Sequence, residues 1–361
     1  MKPVLFGWDV GGAHLKRAAL DADGRLLRVD MAPCPLWRGL AELDAAIAGL
    51  PPLPAAPSVV TMTGELTDLW PDRATGVVAL AAALAARLGA ETRIYAGPDG
   101  LVAAGAAAGH IDTIASANWH ATAAALALRL PAGILVDMGS TTTDIIPFAD
   151  RRLTSRGYSD AARMAAGELL YCGAARTPVM AFGPTLPFRG APVPLMMEFF
   201  ATTADVHRLT GALPEGADLY PAADGGAKTL EASARRLLRM VGRDLGPPTL
   251  APASPELCTL DEAKALAMRT AEAQLRRLDD ALAQVVSAPP GGIPPDVPIV
   301  GAGVGRFLAA RLAARAGRPY LDAGALLAGG APRDAPWDAR WAEAAADCAP
   351  AVAVAVLAFQ G

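Results

Sequence analysis

The chain has 361 residues, of which 53% are hydrophobic and 19% charged, and its formal net charge is −4. This length and hydrophobic content allow one large or two medium domains with full cores, which excludes a disordered chain. The weak negative charge gives no electrostatic reason to expect nucleic acid or an anionic membrane as partner. The charge-free apolar stretches at 77–86 and 348–359 fall short of the roughly 20 residues of a membrane span. With no signal segment after Met1, we expect a cytoplasmic protein.

The N-terminal part of the chain predicts an antiparallel strand unit. An apolar strand from residue 4 to 10 runs into a glycine turn, and strands at 15–20 and 25–29 follow, separated by the turn at 21–24. Further elements before residue 131 are strands at 58–62 and 93–96 and helices at 75–88 and 117–130. This alternation of strands and helices indicates a layered α/β architecture.

The same plan recurs in the second half of the chain. The strand predicted from residue 133 ends near Asp137, continues into a turn of small residues, and is followed by a strand at 143–148. Asp9 and Asp137 are separated by about one domain length. We infer an internal duplication of one strand–aspartate–turn unit.

Residues 151–286 give few strand signals and mainly helical patterns. Helices are predicted at 160–171, 230–241 and 260–286, and after a proline-rich loop we expect a strand at 297–300 and a helix at 306–316. The stretch 351–359 fits a strand or a helix. We therefore predict a first lobe over residues 1–130 and a second over residues 131–361, with a mainly helical insertion at about 155–290.

The first candidate site is the strand end and glycine turn that begin at Asp9. A carboxylate there can hold Mg²⁺, and the missing side chains of Gly11 and Gly12 let backbone N–H groups approach phosphate oxygens. Lys16 would return on the neighbouring strand as a positive charge for an anion. An ordinary hairpin with a solvated Asp and Lys is the open alternative, and His14 is either a ligand contact or a structural hydrogen-bonding group.

The second candidate site is the turn after Asp137. Ser140, Thr141 and Thr142 offer hydroxyl and amide donors to phosphates, and Asp144 can face the same space from the next strand. A plain β-turn does not require so many hydroxyl residues beside two carboxylates, so the pattern favours a phosphate site.

The third candidate site is the glycine turn that contains Gly301 and Gly303. Its spacing and its place late in the chain differ from a dinucleotide fingerprint, which makes NAD a poor candidate. A cradle for a nucleotide or another phosphorylated ligand and a close helix–strand packing turn remain equally open.

Together the three motifs resemble the phosphate-1, phosphate-2 and adenosine motifs of the superfamily that includes actin, sugar kinases and heat-shock chaperone ATPases. The second motif is most similar to the hydantoinase and oxoprolinase branch. More specific strings resemble the methanofuran-biosynthesis ether synthase family, labelled in methylotrophic bacteria as a tetrahydromethanopterin-linked one-carbon transfer pathway protein. These strings are GWDVGGAHLK at 7–16, TMTGEL at 61–66, ASANW at 115–119, GAARTPV at 173–179 and FATTADV at 200–206. The resemblance extends from residue 6 to about residue 322.

The resemblance implies a duplicated actin-like, ribonuclease H-like α/β fold with a cleft between two lobes. It also implies an enzyme, a transferase that joins an aminomethyl-furanmethyl diphosphate to the phenol oxygen of a glutamylated tyramine or tyrosine and releases pyrophosphate. The expected cofactor is Mg²⁺, and the expected partners are these small-molecule diphosphate and phenolic amine substrates. We expect no nucleic acid or membrane partner, and the sequence leaves a homodimer open.

The resemblance and the motifs together give a set of expected site residues. The expected catalytic residues are Asp9, Lys16, Asp144 and Glu65, with Glu65 as candidate general base or merely a neighbour of a helix N-cap. The expected metal ligands are Asp9, Asp137 and Asp144. Expected substrate or diphosphate contacts are Gly11, Gly12, Ala13, His14, Ser140, Thr141, Thr142, Arg176, Asp224, Lys228, Gly301 and Gly303.

Two other functions are compatible with the same motifs. An ATP-dependent small-molecule kinase or hydantoinase-type ATPase would use all three phosphate motifs and release ADP. A non-catalytic actin-like or chaperone-like binding protein would form filaments or bind clients without turnover, although no polymer interface is visible in the sequence.

Overall fold

The computed structural model describes residues 2–247, 254–328 and 339–360. Strands of the first sheet are β1 (Leu5–Val10), β2 (His14–Leu20), β3 (Leu26–Pro33), β4 (Ser58–Met62), β5 (Arg93–Tyr95) and β6 (Leu101–Ala103). They lie in the order β3-β2-β1-β4-β5-β6. The first three strands are antiparallel, whereas β4 runs parallel to β1 and β5 runs parallel to β4. The carboxyl ends of β1 and β4 therefore meet at one edge of the sheet.

The second sheet is built from later parts of the chain. Its strands are β7 (Gly133–Met138), β8 (Thr143–Ala149), β9 (Arg152–Leu153), β10 (Leu169–Leu170), β15 (Ile299–Ala302) and β16 (Tyr320–Asp322). The order is β10-β8-β7-β15-β16, and β9 also pairs with β8. β7 and β8 form an antiparallel hairpin, and β15 runs parallel to β7.

The two sheets repeat one topology. In each, a central strand forms a hairpin with the next strand on one side and pairs in parallel with a later strand on the other, β4 in the first sheet and β15 in the second. The described residues thus confirm the predicted duplicated, two-lobed α/β fold.

Helices pack on both sheets and also form much of the segment between the two parts of the second sheet. They are α1 (Ala41–Gly49), α2 (Arg73–Leu88), α3 (Ile111–Ile114), α4 (Asn118–Ala127), α5 (Asp160–Ala166), α6 (Thr203–Leu209), α7 (Leu230–Arg239), α8 (Leu260–Val286), α9 (Arg306–Arg315), α10 (Ala323–Ala328), α11 (Ala339–Asp347) and α12 (Ala349–Gln360). α4 and α12 share one buried core with side chains of both sheets, including Val59 and Leu135. A Cβ on Gly7 would lie 2.1 Å from the Ala351 carbonyl oxygen, so the glycine permits α12 to pack directly on β1.

The segment between the two parts of the second sheet has a hydrophobic core of its own, to which α6, α7 and the first half of α8 contribute. Helices dominate it as predicted, but it also contains short strands that the sequence pattern did not show. These are β11 (Thr185–Phe188), β12 (Ala191–Pro194), β13 (Asp244–Leu245) and β14 (Leu257–Cys258). The second half of α8 packs on the second sheet through Leu278 and Leu282.

The single helix expected at 160–171 was wrong. α5 ends at Ala166 because Gly167 adopts a left-handed conformation with φ of 75° and its N–H bonds back to the helix carbonyls. The chain then forms β10, which pairs with β8. This short strand brings the following loop against the second candidate site.

The last helix resolves the open assignment at 351–359. Residues 349–360 form α12, and Pro350 is tolerated because it lies in the first turn. Although we predicted that residues 131–361 form the second lobe, α12 packs against strands of the first sheet. The lobe boundaries stay a prediction. Among the described residues no single helix is long and apolar enough to cross a membrane, and only the pair Trp341–Asp347 and Ala349–Gln360, bent by 100°, meets that criterion jointly.

Candidate functional site

A cavity of about 410 Å³ lies between the lobes and receives side chains from both sheets. It collects most of the residues that the sequence singled out. Those in its wall are Asp9, Gly11, Gly12, Ala13, His14, Lys16, Asp137, Ser140, Thr141, Thr142, Asp144, Arg176 and Gly303. The three candidate motifs therefore face one space.

The first side of the cavity is the β1–β2 hairpin. Asp9 lies opposite Lys16 in the strand register, and Lys16 Nζ lies 3.2 Å from Asp9 Oδ2. Burial alone would lower the pKa of Lys16, but Asp9, together with Cys348 and Asp137, outweighs burial and raises it above its ordinary value. The lysine is thus a permanent positive charge in the cavity wall.

His14 lies at the start of β2, close to this charge. Burial, together with Lys16 and Arg176, lowers the pKa of His14 to about 3, so its imidazole is neutral at physiological pH. The Tyr220 ring meets the His14 ring edge-on, at 5.4 Å between centroids, and the Tyr220 hydroxyl donates a hydrogen bond to the Ala13 carbonyl. A loop of the second half therefore closes over the first glycine turn.

The second side of the cavity is the β7–β8 hairpin. Asp137 lies opposite Asp144, and the turn between them places Ser140, Thr141 and Thr142 in the wall. Burial and then the Asp144 carboxylate raise the pKa of Asp137 to about 7, and Lys16 only partly offsets this. Two acidic side chains thus share a buried region that favours a cation.

Arg163 supplies a cation to this acidic hairpin, and no sequence pattern indicated this residue. Its Nη1 lies 2.5 Å from Asp144 Oδ1 and its Nη2 lies 3.0 Å from Asp160 Oδ1. The guanidinium lies 4.6 Å above the Trp119 ring, which belongs to the first half of the chain. Arg163 therefore connects the second hairpin to the opposite lobe.

The loop at 172–177 supports the second turn from behind. The N–H of Arg176 donates to the Ser140 carbonyl at 2.8 Å, and a Cβ on Gly173 would lie 2.4 Å from the Ser140 carbonyl carbon. The Arg176 guanidinium lies 5.1 Å from the Tyr220 ring centroid and 5.7 Å from that of Trp37. Arg176 is thereby held over the hydroxyl-rich turn, with its Nη1 3.5 Å from Thr141 Oγ1.

The third motif is mainly a packing turn. Gly303 has φ of 78°, its N–H donates to the Ala346 carbonyl at 2.7 Å, and a Cβ there would lie 2.3 Å from the Met138 carbonyl oxygen. Gly301 lies in β15 against the Tyr320 ring, outside the cavity wall. Close packing accounts for both glycines, Gly303 against Met138 of the second hairpin and Gly301 against Tyr320 of β16. Contact of Gly303 with a phosphorylated ligand stays a prediction.

Three further predicted residues lie outside the wall. Asp224 pairs with Arg236 at 3.1 Å, and Lys228 pairs with Asp218 at 3.4 Å in the same exposed loop. Glu65 is only 1% exposed and reaches the cavity only through Ser116, whose N–H and hydroxyl donate to Glu65 Oε1 at 2.8 and 3.1 Å. Direct contact of these three side chains with a ligand in the cavity is therefore not supported.

The structure does not bring the three expected metal ligands together. Among the described residues no group of three or more His, Cys, Asp or Glu side chains is arranged to hold a metal ion. Asp144 differs from the other two expected ligands because its Oδ1 already accepts a hydrogen bond from Arg163. Asp9 and Asp137 do fit Mg²⁺, since Asp9 Oδ1 is buried without a hydrogen-bond partner and Mg²⁺ commonly takes only one or two carboxylates together with water and substrate phosphate.

The chain is similar to proteins of known name and structure. The hydantoinase/oxoprolinase family model matches residues 58–321. A protein of Methanocaldococcus jannaschii named (4-{4-[2-(gamma-L-glutamylamino)ethyl]phenoxymethyl}furan-2-yl)methanamine synthase is 30% identical over 246 residues, which cover 68% of this chain and 73% of that protein. A Methanococcus vannielii protein of the same name is 40% identical over 82 residues, 23% of this chain and 36% of that protein.

Among solved structures, a nucleotide-free acetone carboxylase described in work on ATP-dependent acetone carboxylation superposes with a TM-score of 0.55. The match covers 88% of this chain and 68% of that chain at 11% identity. At this identity the likeness concerns the fold alone.

Proposed function

The chain belongs to the hydantoinase/oxoprolinase family and, within it, to the methanofuran-biosynthesis synthases, and from this premise we propose that it forms the aryl ether of a furan-methanamine cofactor precursor. The name of the relatives contains a phenoxymethyl group on a furan ring, which is an ether between a phenol oxygen and a furan methylene. The observation that carries the proposal is this relationship over 68% of the chain, joined to a cavity whose wall contains Lys16, Arg176 and a hydroxyl-rich turn.

The proposed reaction transfers a furanmethyl group from diphosphate to phenol. The bond between the methylene carbon and the diphosphate oxygen breaks, and its electron pair leaves with pyrophosphate. The phenol oxygen forms the new bond to that carbon and loses its proton. Because the furan ring stabilises positive charge on the methylene, the main task of the protein is to stabilise the negative charge of the departing diphosphate.

Side chains on two sides of the cavity suit a diphosphate. Lys16 supplies a fixed positive charge, and Arg176 supplies planar donors above the hydroxyl-rich turn. Ser140, Thr141 and Thr142 add hydroxyl groups in the same wall. We propose that these five residues hold the diphosphate while the furan ring lies toward the rest of the cavity.

The charge of the wall supports a divalent cation. Its charged side chains are five carboxylates and three cations, with His14 neutral. The carboxylates are Asp9, Asp137, Asp144, Asp160 and Asp347, and the cations are Lys16, Arg163 and Arg176. A free diphosphate would meet net repulsion here, so we propose that it binds with Mg²⁺ held by Asp9 and Asp137. Mg²⁺ would neutralise charge on the leaving group.

The test is the reaction itself with purified protein. The furanmethyl diphosphate and the glutamylated tyramine or tyrosine acceptor are incubated with Mg²⁺, and products are identified by mass spectrometry. We expect the ether and pyrophosphate in equal amounts, with and without ATP. Formation of ADP that depends on a small-molecule substrate, with no ether, would refute the proposal in favour of an ATP-dependent kinase or ATPase.

A further inference from the structure

Ser116 occupies an unusual place in the cavity wall. It lies in the turn before α4, within the ASANW string, and is 4% exposed. Its φ of 53° puts it in the left-handed region, which few residues other than glycine adopt without cost. Both of its donors go to one carboxylate oxygen, Glu65 Oε1, at 2.8 and 3.1 Å. The hydroxyl oxygen of Ser116 thus stands between the cavity and a buried carboxylate.

Glu65 is enclosed and has no cationic partner within 4.0 Å among the described residues. It belongs to the turn after β4, and Gly76 of α2 packs so closely on it that a Cβ would lie 2.5 Å from the Glu65 carbonyl oxygen. Oε2 is buried without a hydrogen-bond partner. The charged group that faces it is Arg73 at the start of α2, and burial outweighs this charge and raises the pKa of Glu65 to about 7. Such a carboxylate can accept a proton near neutral pH.

The other acidic residues of the cavity are already engaged. Asp9 pairs with Lys16 and Asp144 pairs with Arg163. Asp160 pairs with Arg73 and Arg163, and Asp347 pairs with Arg306. Asp137 lies with Asp9 at the proposed metal position, and His14 is a weak base because its pKa is lowered to about 3. A phenol proton therefore needs another acceptor, and Ser116 with Glu65 behind it is the remaining pair that reaches the wall.

We propose that Ser116 and Glu65 form a proton relay for the phenolic acceptor, an inference that rests on the proposed ether-forming function. As the phenol oxygen bonds to the furan methylene, the phenol proton passes to Ser116 Oγ. The hydroxyl proton of Ser116 passes at the same time to Glu65 Oε1. The carbon–oxygen bond to diphosphate breaks, pyrophosphate leaves with the electron pair, and the proton on Glu65 is later returned to solvent. Ser116 is the group that touches the phenol, and Glu65 acts through it.

The relay makes the need for Ser116 and Glu65 depend on the acidity of the acceptor. The test compares the ordinary phenolic acceptor with a form that carries several ring fluorines, so that its phenol is ionised at the assay pH and needs no base. We expect Ser116→Ala and Glu65→Gln to lose roughly 100-fold or more in kcat with the ordinary acceptor, the usual contribution of general base catalysis. With the ionised acceptor the same variants should fall by less than about 5-fold.

Two additional variants separate chemistry from folding. Ser116→Gly removes the hydroxyl but tolerates a positive φ, so it should fold even where alanine is strained. Ser116→Gly should lose kcat with the ordinary acceptor and keep most of it with the ionised acceptor. The matched controls are Glu231→Gln and Ser287→Ala, which are exposed on α7 and after α8 and should behave as wild type with both acceptors. Thermal unfolding of each variant checks that the fold is retained.

The outcomes distinguish the relay from the reaction on which it rests. The relay is supported if wild type forms ether with both acceptors and the ionised acceptor restores the kcat of the variants. If wild type is active but the variants lose kcat by the same factor with both acceptors, the relay is refuted and the proposed function stands. Wild type that forms no ether with either acceptor refutes the proposed function, and the relay falls with it.

Discussion

The two hairpins have the same strand pairing but different charge. Position for position, Asp9 lies opposite Lys16 in the first hairpin, and Asp137 lies opposite Asp144 in the second. The first hairpin therefore contains its own cation, whereas the second obtains one from Arg163 on α5, outside the repeated unit. Duplication supplied the shared geometry of the cleft, and side-chain changes on that geometry supplied the different tasks of its two sides.

The largest expected effect comes from removing the cation of the first hairpin. We expect Lys16→Met to lower kcat roughly 1000-fold, because the departing diphosphate loses a fixed positive charge and Asp9 loses its partner. Steady-state rates of ether formation measure the effect. Lys264→Met, an exposed lysine on α8, is the matched control and should keep wild-type activity. A Lys16→Met enzyme within 10-fold of wild type would show that the hairpin charge is not used on the leaving group.

Removing the cation of the second hairpin should lower the stability of the fold more than the rate of ether formation. Arg163→Met leaves Asp144 buried without its ion-pair partner and should cost roughly 3 kcal/mol of unfolding free energy. Urea denaturation measures the loss. The double variant with Asp144→Asn should recover most of it, since the uncompensated carboxylate is then gone. No recovery in the double variant would mean that the contact of Arg163 with Trp119, and not the ion pair, holds the hairpin.

The turns beside the two hairpins also differ, and Glu65 after β4 has no acidic counterpart in the glycine turn after β15. Because burial raises the pKa of Glu65 from 4.5 to about 7, its neutral form is favoured on folding. That stabilising contribution is fully present below pH 4.5 and is lost as pH rises through 7. Glu65→Gln should therefore be more stable than wild type above pH 7, by on the order of 2 kcal/mol, and the difference should vanish below pH 4.5. A difference that does not change with pH, followed by denaturation across this range, would contradict burial as the cause.

The smallest effect is expected outside both hairpins. Lys228 and Asp224 lie in an exposed loop and are engaged by Asp218 and Arg236. Lys228→Met should change kcat less than about 2-fold and stability by less than about 0.5 kcal/mol, the usual range for surface positions. A large loss of activity measured in the same assay would restore the original assignment of this lysine to the substrate site.

The sequence was informative where the signal was local. Strand ends, glycine turns and the hydroxyl run after Asp137 are short patterns, and they located both hairpins and most of the charged and hydroxyl-bearing residues that the hairpins place in the cavity wall. Contacts between distant positions were not predictable in this way. Arg163 reaches Asp144 across 19 positions, Glu65 reaches Ser116 across 51, and Tyr220 reaches Ala13 across 207. Such partners depend on how the elements pack, which no single segment encodes.

The same limit explains why several candidates make other contacts in the structure. Asp224 and Lys228 look unusual beside glycines in the sequence, but the position of their loop depends on ion pairs with distant residues, Arg208 of α6 and Arg236 of α7. Gly301 and Gly303 match a phosphate-cradle pattern, yet close helix–strand packing requires the same missing side chains. A glycine pattern indicates that another group comes close to the backbone. Only the folded structure shows whether that group is another part of the protein or a ligand.

The most direct test of the central claim is equilibrium binding of pyrophosphate to the cleft. Calorimetric titration of pyrophosphate with Mg²⁺ should show binding to wild type and to Lys264→Met, and roughly 100-fold weaker binding to Lys16→Met, the effect expected when one partner of a buried charge pair is removed. Omission of Mg²⁺ should weaken wild-type binding as well, because carboxylates outnumber cations in the wall. Equal affinity of wild type and Lys16→Met, or binding indifferent to Mg²⁺, would contradict the assignment of the two hairpins as one metal-assisted diphosphate site.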